Sequence, residues 1–521
     1  MLPSSKMQAL LDFRAIVGAS HVLTDAADLD RAATATFATR ARPSAIVRPE
    51  NLSQVQDLVR AAARHGVPLY PVSRGKNWGL GSRVPTADGA VLLELARMDR
   101  IVAFDEELAT VTVEPGVSFA QLYRFLSERK SRLFANTTGA SPEASVLGNA
   151  IERGDGTGPN GDRFNHVAGL EVVLGSGEVL RTGFSRYDAT PLGPLHRWGV
   201  GPALDGIFSQ SNLGIVTRMS LWLTPLPGAL AAIRFWFRDP TRLAPTMDAL
   251  RRLRLEGTLR SVAGIWNDYR VLSVEGQYPW HAAGERTPLD RSVLERIGEA
   301  WGGATWFGLS AVYAATEAQC SAHVARVREL LEPHVDELVI EQKSGAPVSG
   351  AELFTEAEPA FQFLQGIPHE GSIQSVYWRK REPPPASPDP DRDRCGVLWL
   401  CPTLPFRGTD VTRAVTVAER VMPEHGFEPL IAMVAQTERT VYLFPLVVYD
   451  RDVAGEDARA RACHDALLAE LAALGYLPFR LGIQSMRALP PSNDDFGAVL
   501  RRIRQVLDPH GIIAPGRYDQ F

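Results

Sequence analysis

The chain has 521 residues, 45% hydrophobic and 22% charged, an ordinary globular composition too long for one hydrophobic core, so two or three domains are expected. Lys and Arg number 55 against 60 Asp and Glu, a net charge of −5 with no basic block, which argues against a nucleic-acid partner. No apolar run is long enough to span a membrane, Met1 to Val22 shows no secretory leader, and the scattered Cys320, Cys395, Cys401 and Cys463 read as reduced thiols of a cytoplasmic protein without a metal site.

In chain order, a strand at 45–47 is followed by a helix, with Ser53 and Gln56 as its capping box and Val55, Leu58, Val59 and Ala62 as its stripe. Gly66 stops that helix. A second strand at 67–72 runs into Arg74-Gly75-Lys76-Asn77-Trp78-Gly79-Leu80-Gly81-Ser82. Glycines at this density let backbone N–H groups converge on an anion such as a diphosphate, with Arg74 and Lys76 adding charge. The alternative is a surface turn that simply needs positive φ. The loop is not a G-x-G-x-x-G opening a helix, so a Rossmann site fits poorly. Strands follow at 90–95, 101–104 and 110–113, then a helix capped by Ser118. A glycine-rich stretch from Thr138 to Asp162 is long enough to wrap a ligand. A hairpin over 170–182 and a strand over 219–223 close this half, and Pro225 and Pro227 mark a boundary.

From about residue 229 long strands alternate with long amphipathic helices: strand 229–237, helix 241–253, strand 304–314, helix 316–332, strand 396–401, helix 409–425, strands 429–436 and 440–449, helix 456–474. That rhythm predicts one sheet with helices on one face. Between its halves the proline-rich stretch 381–394 is expected to be an exposed or lid-like loop. A last helix carries Phe496, Val499, Leu500, Ile503, Val506 and Leu507.

Six segments together resemble the flavoprotein family of vanillyl-alcohol oxidase and 4-cresol dehydrogenase (p-cresol methylhydroxylase): RGKNWGLGS at 74–82, EPGVSF at 114–119, SVLGNAIERG at 145–154, GDRFNHVAGLEVVLGSGEVLRTG at 161–183, WGVGPALDGIFSQSNLGIVT at 198–217 and DPHGIIAPGR at 508–517. The resemblance implies an α+β, two-domain FAD-linked oxidase fold. Residues 1–227 would bind FAD, 228–490 would form a cap with a large antiparallel sheet flanked by helices, and 491–521 would return to the FAD-binding domain. It places FAD against Arg74, Gly75, Lys76, Asn77, Gly79, Leu80, Gly81, Ser82, Pro142, Ser145, Gly148, Asn149, Gly156, Gly161, Gly214, Ile215, Val216 and Arg517.

The resemblance also implies hydride removal from the carbon beside a para-hydroxylated ring, through a quinone methide. The family holds the phenolate with an arginine and two tyrosines. Here Arg480 is present, while Phe479 and Leu80 stand where the tyrosines would be. Arg480 as a plain surface residue is the alternative. Asp162 is expected near the flavin, as proton acceptor or as a carboxylate that orders its loop. Tyr377 is the candidate for a covalent flavin linkage, against non-covalent FAD with Tyr377 as a packed core residue. His166 and His196 are equally ambiguous. The basic run Arg379-Lys380-Arg381 either meets an acidic substrate or is balanced by Asp389, Asp391 and Asp393.

The expected activity is therefore FAD-dependent oxidation of a para-substituted phenol, with oxidative decarboxylation of a tyrosine-like phenolic acid as the alternative and a non-catalytic flavin-binding protein as a further one. Relatives pass electrons to dioxygen or to a cytochrome, and are often dimers.

Overall fold

The computed structural model describes residues 4–345, 353, 359–491 and 493–519. The first strand–helix–strand signal folds into a four-stranded sheet in the order Val22–Leu23, Ala45–Val47, Val91–Glu94, Leu69–Val72. Its helix, Leu52–His65, buries Val55, Leu58, Val59 and Ala62 as their spacing predicts and ends at Gly66 with φ 63°. The helix begins earlier than the Ser53–Gln56 box implies. Asn51 is the cap, accepting from the Gln54 N–H at 3.0 Å, and the Gln54 side chain accepts from the Glu50 N–H in return. The same two-way satisfaction of orphan donors thus occurs two residues upstream.

A second, antiparallel sheet of five strands has the order Ile101–Asp105, Thr110–Val113, Ile215–Trp222, Val167–Val173, Val179–Arg181. The C-terminal segment ties the two sheets together. Helix Phe496–Leu507 ends against the 173–179 turn, where the Gly175 N–H donates to Leu507 O at 2.8 Å. The carboxylate of Asp508 then takes the N–H groups of Ile512 and Ile513. Beyond it the Leu69 N–H donates to Ile512 O and the Ala514 N–H to Leu69 O, both at 2.8 Å. The tail is thereby stitched to the strand that delivers the chain to the glycine loop.

The third sheet is eight-stranded. Its order is Glu337–Ser344, Ala229–Phe237, Trp306–Ala314, Ala263–Asn267, Leu430–Ala435, Thr440–Asp450, Cys395–Trp399, with Thr403–Pro405 also paired to Thr440–Asp450, and its neighbours are antiparallel. Side chains alternate between its faces. On one face Ile265, Met433, Leu443 and Val447 join Leu250, Val327, Ala418 and Leu467 from four helices in a single core. The opposite face carries a band of half-buried aromatics: Trp266, Phe307, Trp399, Tyr442 and Phe444. A helix-on-one-face sheet is what the strand–helix rhythm predicts. Ala263–Asn267 and Glu337–Ser344 are two strands it does not flag.

The proline-rich stretch, expected to be an exposed or lid-like loop, is largely exposed in its first half only. Residues 381–383 and 385–387 are exposed, but Pro390 and Asp391 are buried. Ser82 Oγ donates to Asp391 at 2.7 Å, and Lys76 Nζ lies 3.4 Å from Asp389. The second half of the loop is latched onto the glycine loop. Among the described residues no helix is long and apolar enough to cross a membrane.

Candidate active site

The strand Leu69–Val72 ends at Ser73, and the chain then turns on Gly75 (φ 68°), Gly79 (φ 76°), Gly81 (φ 121°) and Ser82 (φ 53°). The amides of Gly75, Lys76, Asn77 and Trp78 meet no acceptor among the described residues. Four consecutive orphan N–H groups in such a loop form an anion nest. This fits the diphosphate of FAD. The loop also has no room for side chains on its inner side, where a Cβ at Gly79 would overlap Trp399 Cδ1. The charges beside the nest are already engaged. Arg74 donates to Glu143 O at 2.6 Å and Gly116 O at 3.1 Å and pairs with the Glu143 carboxylate. Backbone, more than Arg74 or Lys76, is what this loop offers a phosphate.

Gly79→Ala is expected to yield a protein that retains little flavin, because both φ and Trp399 oppose the methyl group. The measurement is the ratio of flavin to protein absorbance after purification, and a full complement of FAD would refute the cradle.

Helix Val146–Ile151 comes up beside this loop. Ser145 caps it, accepting from the Gly148 N–H at 2.8 Å and donating to Pro115 O at 2.6 Å. A Cβ on Gly148 would collide with Ser73 Oγ, so helix and loop approach closely because that residue is glycine. Pro142 lies in the preceding turn, its carbonyl accepting from the Ala120 N–H. The 154–162 loop closes on itself through an antiparallel bridge between Asp155 and Asp162. Its centre is Arg163, which is buried and donates to Asn149 Oδ1 and to the carbonyls of Asp155, Asn136 and Thr137. A Cβ on Gly156 would collide with that guanidinium, and one on Gly161 with Gly156 O. Gly214 packs against Val172, leading into buried Ile215 and Val216. Asn212 just before them donates to Ala514 O.

Arg480 arrives at the same place from the other end of the chain. Its Nη2 donates to Asn77 Oδ1 at 2.7 Å, and its Nε lies 3.7 Å from Glu152. Glu152 also pairs with Arg517 at 2.6 Å, and Arg517 donates to the Tyr70 hydroxyl. Burial pushes the Glu152 carboxyl up, but Arg517 and Arg480 outweigh it and hold the group below its ordinary range. Arg480 is thus no plain surface residue. Its neighbour Phe479 stacks on Tyr442, with centroids 3.8 Å apart and planes 13° off parallel; Phe444 stands edge-on to both, and Trp399 edge-on to Phe444. The result is an aromatic wall, and Asp155 and Cys401 feel the field of Arg480 on one side and act on Tyr442 on the other.

Two carboxyls flank Tyr442 and add to the effect of burial in raising its pKa. Asp162 hydrogen-bonds Asn165, and its carbonyl accepts from His166, so it does order its loop. Burial raises the Asp162 pKa. Asp155 is the second; burial raises it too, against the pull of Arg163 and Arg480. Cys401 lies within reach of the fields of Arg480 and Asp155, and burial pushes its thiol up to about 12, so it stays protonated.

The candidate residues therefore fall in two groups. Arg480, Arg517, Asn77 and the helix after Ser145 converge with Asp162 nearby. Tyr377 stands apart, in the aromatic cluster with Trp78 and Trp378, where its hydroxyl donates to Asp393 at 2.5 Å. The basic run offers nothing to an acidic substrate: Arg379 pairs with Glu428 and Glu456, Lys380 with Asp450 and Asp452, and Arg381 with Glu285. Nor are Asp389, Asp391 and Asp393 its partners. Glu152, Asp155 and Arg163 belong to the site without being singled out by the sequence, although all three lie in or beside the family motifs. Charged residues inside a glycine-rich stretch are the available signal.

Comparison with known proteins agrees with this geometry. A model of a FAD binding domain matches residues 43–183. The chain is 47% identical to the 1'-carboxy-chondrochloren decarboxylase of Chondromyces crocatus, over 98% of this chain and 97% of that one. It is 28% identical to the flavoprotein subunit of the hydroxylating 4-cresol dehydrogenase of Pseudomonas putida, over 98% and 95%. The crystal structure of p-cresol methylhydroxylase with substrate bound superposes with a TM-score of 0.90 at 27% identity, covering 100% of this chain and 98% of that one. With the nest, the aromatic wall and the anchored arginine, these likenesses show that the chain belongs to the vanillyl-alcohol oxidase and 4-cresol dehydrogenase family of FAD-linked oxidases and is a FAD-dependent oxidoreductase.

Proposed function

We propose that this enzyme oxidises the benzylic carbon of a para-substituted phenol, with residues 228–490 forming the cap over FAD bound by residues 1–227 and the C-terminal tail. The observation that carries the reading is Arg480, fixed by Asn77 and Glu152, directly after Phe479 of the Phe479–Tyr442 stack. Aromatic walls accept a ring, and a guanidinium that stays charged stabilises its phenolate. When bound, FAD supplies the two-electron acceptor for the benzylic hydride. The phenolate's electrons release that hydride and leave the substrate as a quinone methide. Phe479 and Leu80 provide no hydroxyl, so Arg480 bears most of the phenolate's charge, while Tyr442 carries a phenol on the same stack. Asp155 and Asp162, with raised pKa values, are placed to accept or return a proton.

A second reading concerns the fate of the quinone methide. The relative at 47% identity is a decarboxylase by name, which favours loss of carbon dioxide from a phenolic acid. In that course the bond between the carboxylate and the carbon next to the benzylic one breaks. Its electron pair forms the new alkene and restores the aromatic phenol, so one hydride and one carbon dioxide leave together and no further oxidant is consumed.

The experiment is anaerobic mixing of the yellow holoenzyme with para-ethylphenol, para-hydroxyphenylpropanoate and non-phenolic alcohols. Bleaching by the phenols, with carbon dioxide equal to flavin reduced for the acid, is the expected result. Bleaching by non-phenolic alcohols alone would overturn the phenol reading, and bleaching by none of them would favour a flavin-binding protein without catalysis.

A further inference from the structure

If a carboxylate is part of the substrate, the protein needs a cation to receive it, and the basic run at 379–381 is already neutralised. Five arginines are buried among the described residues: Arg163, Arg254, Arg270, Arg379 and Arg517. Four are satisfied by oxygen. Arg163 and Arg254 each donate to several carbonyls, Arg379 lies on Glu428, and Arg517 lies on Glu152. Arg270 differs. Its side chain makes one hydrogen bond, from Nη1 to Ser273 Oγ at 3.1 Å, and that hydroxyl in turn donates to the Arg270 carbonyl. Its Nε, like that of Arg254, has no partner among the described residues, but Arg254 has four carbonyls on its other nitrogens. Among the described residues no carboxylate acts on Arg270, and burial pulls its pKa down to about 10, so it is still protonated at neutral pH. A lone buried guanidinium is a costly placement that folding does not explain.

Its position is informative. Arg270 lies on helix Asp268–Glu275, directly after the strand Ala263–Asn267, whose Trp266 belongs to the aromatic face of the cap sheet. Asn267 caps the helix and also binds Pro429 O and the Ile431 N–H, which fixes it against the strand Leu430–Ala435. The helix packs on the turn Gly371–Val376, and that turn reaches the flavin-side loops: a Cβ on Gly139 would lie 3.6 Å from Ser372 Oγ. The helix thus sits between the aromatic sheet face and the loops of the FAD-binding half.

We propose that Arg270 is the anion subsite of the cap, receiving the carboxylate of a phenolic-acid substrate whose ring lies against the aromatic face of the cap sheet. The inference rests on the phenol reading above and deepens it. A guanidinium presents a planar fork that a carboxylate accepts in two parallel hydrogen bonds, and Arg270 has Nε and Nη2 uncommitted to any other group among the described residues.

The test is calorimetric titration of chemically reduced holoenzyme, which cannot turn over, with para-hydroxyphenylpropanoate and with its methyl ester. The wild type is expected to prefer the acid. In Arg270→Met the acid-to-ester affinity ratio falls about 10- to 100-fold, and Arg270→Lys recovers part of it. The methionine variant melts no lower than the wild type, because an unpaired buried charge has been removed. An unchanged ratio, with or without a lowered melting temperature, makes Arg270 a structural arginine and overturns the subsite while leaving the phenol reading intact. Binding of neither ligand by a fully flavinylated wild type overturns both.

Discussion

Arg480→Ala is expected to slow anaerobic flavin reduction by a para-substituted phenol by about 10²- to 10⁴-fold. On the proposed reading, a phenolate bound against Phe479, Tyr442 and Phe444 exchanges water for ring faces and one guanidinium. Removing one partner of such a desolvated pair costs about 3–5 kcal/mol, and each ~1.4 kcal/mol is tenfold in rate. Lysine restores charge but not the fork that Asn77 holds at 2.7 Å, so Arg480→Lys recovers only part of the activity. The loss also depends on pH. Without the guanidinium the bound phenol ionises less readily, so the deficit shrinks as pH rises and free phenolate accumulates. Stopped-flow reduction across pH, with FAD content checked in each variant, reads all of this. Glu152 keeps Arg517 as a partner when Arg480 is removed, so the fold tolerates the change. An alanine variant reduced at the wild-type rate would remove the phenol from the reading.

How much of this the sequence discloses depends on the range of the interaction. The glycine loop is legible because positive φ at 75, 79 and 81 and the close approach of Trp399 demand glycine. The helices of the larger sheet are legible because a one-sided stripe is a local pattern. The start of Leu52–His65 is misread because Asn51 and Ser53 are both good caps, and which N–H groups remain orphaned decides between them. Side-chain partners are the hardest to read. Arg480 meets Asn77 across 403 positions, and Arg379 meets Glu428 where the adjacent aspartates look the natural choice. The edge strand Glu337–Ser344 escapes notice because ELVIEQKS lacks the alternation of a half-buried strand and is held by its pairing to Ala229–Phe237. Arg270 escapes for a related reason. In NDYRVLS it resembles any helix-surface arginine, and only the packing around it reveals a buried cation without a counter-charge.

Glu152→Gln is expected to be the most destabilising single change near the site, and its dependence on pH identifies the cause. Glu152 lies between Arg517 and Arg480, at 2.6 and 3.7 Å. Its side chain is only one-fifth exposed, and that of Arg517 only one-tenth. Glutamine keeps the shape and removes the charge, leaving two enclosed guanidiniums facing each other. Breaking a buried pair in this way costs about 3–5 kcal/mol, which denaturant unfolding would register as a lower midpoint. Because the two arginines hold the folded-state pKa of Glu152 below its ordinary value of 4.5, its contribution is fully present above that value. It is lost as pH falls through the lowered one. Protonated Glu152 is electrostatically equivalent to glutamine, so the stability curves of wild type and variant should lie apart at neutral pH and converge in acid. Curves offset equally at every pH would show that shape, and not the ion triad, makes Glu152 matter. Arg517 belongs to the tail that pairs with Leu69 just before the nest, so the same variant should also release FAD more readily at neutral pH than in acid, relative to the wild type.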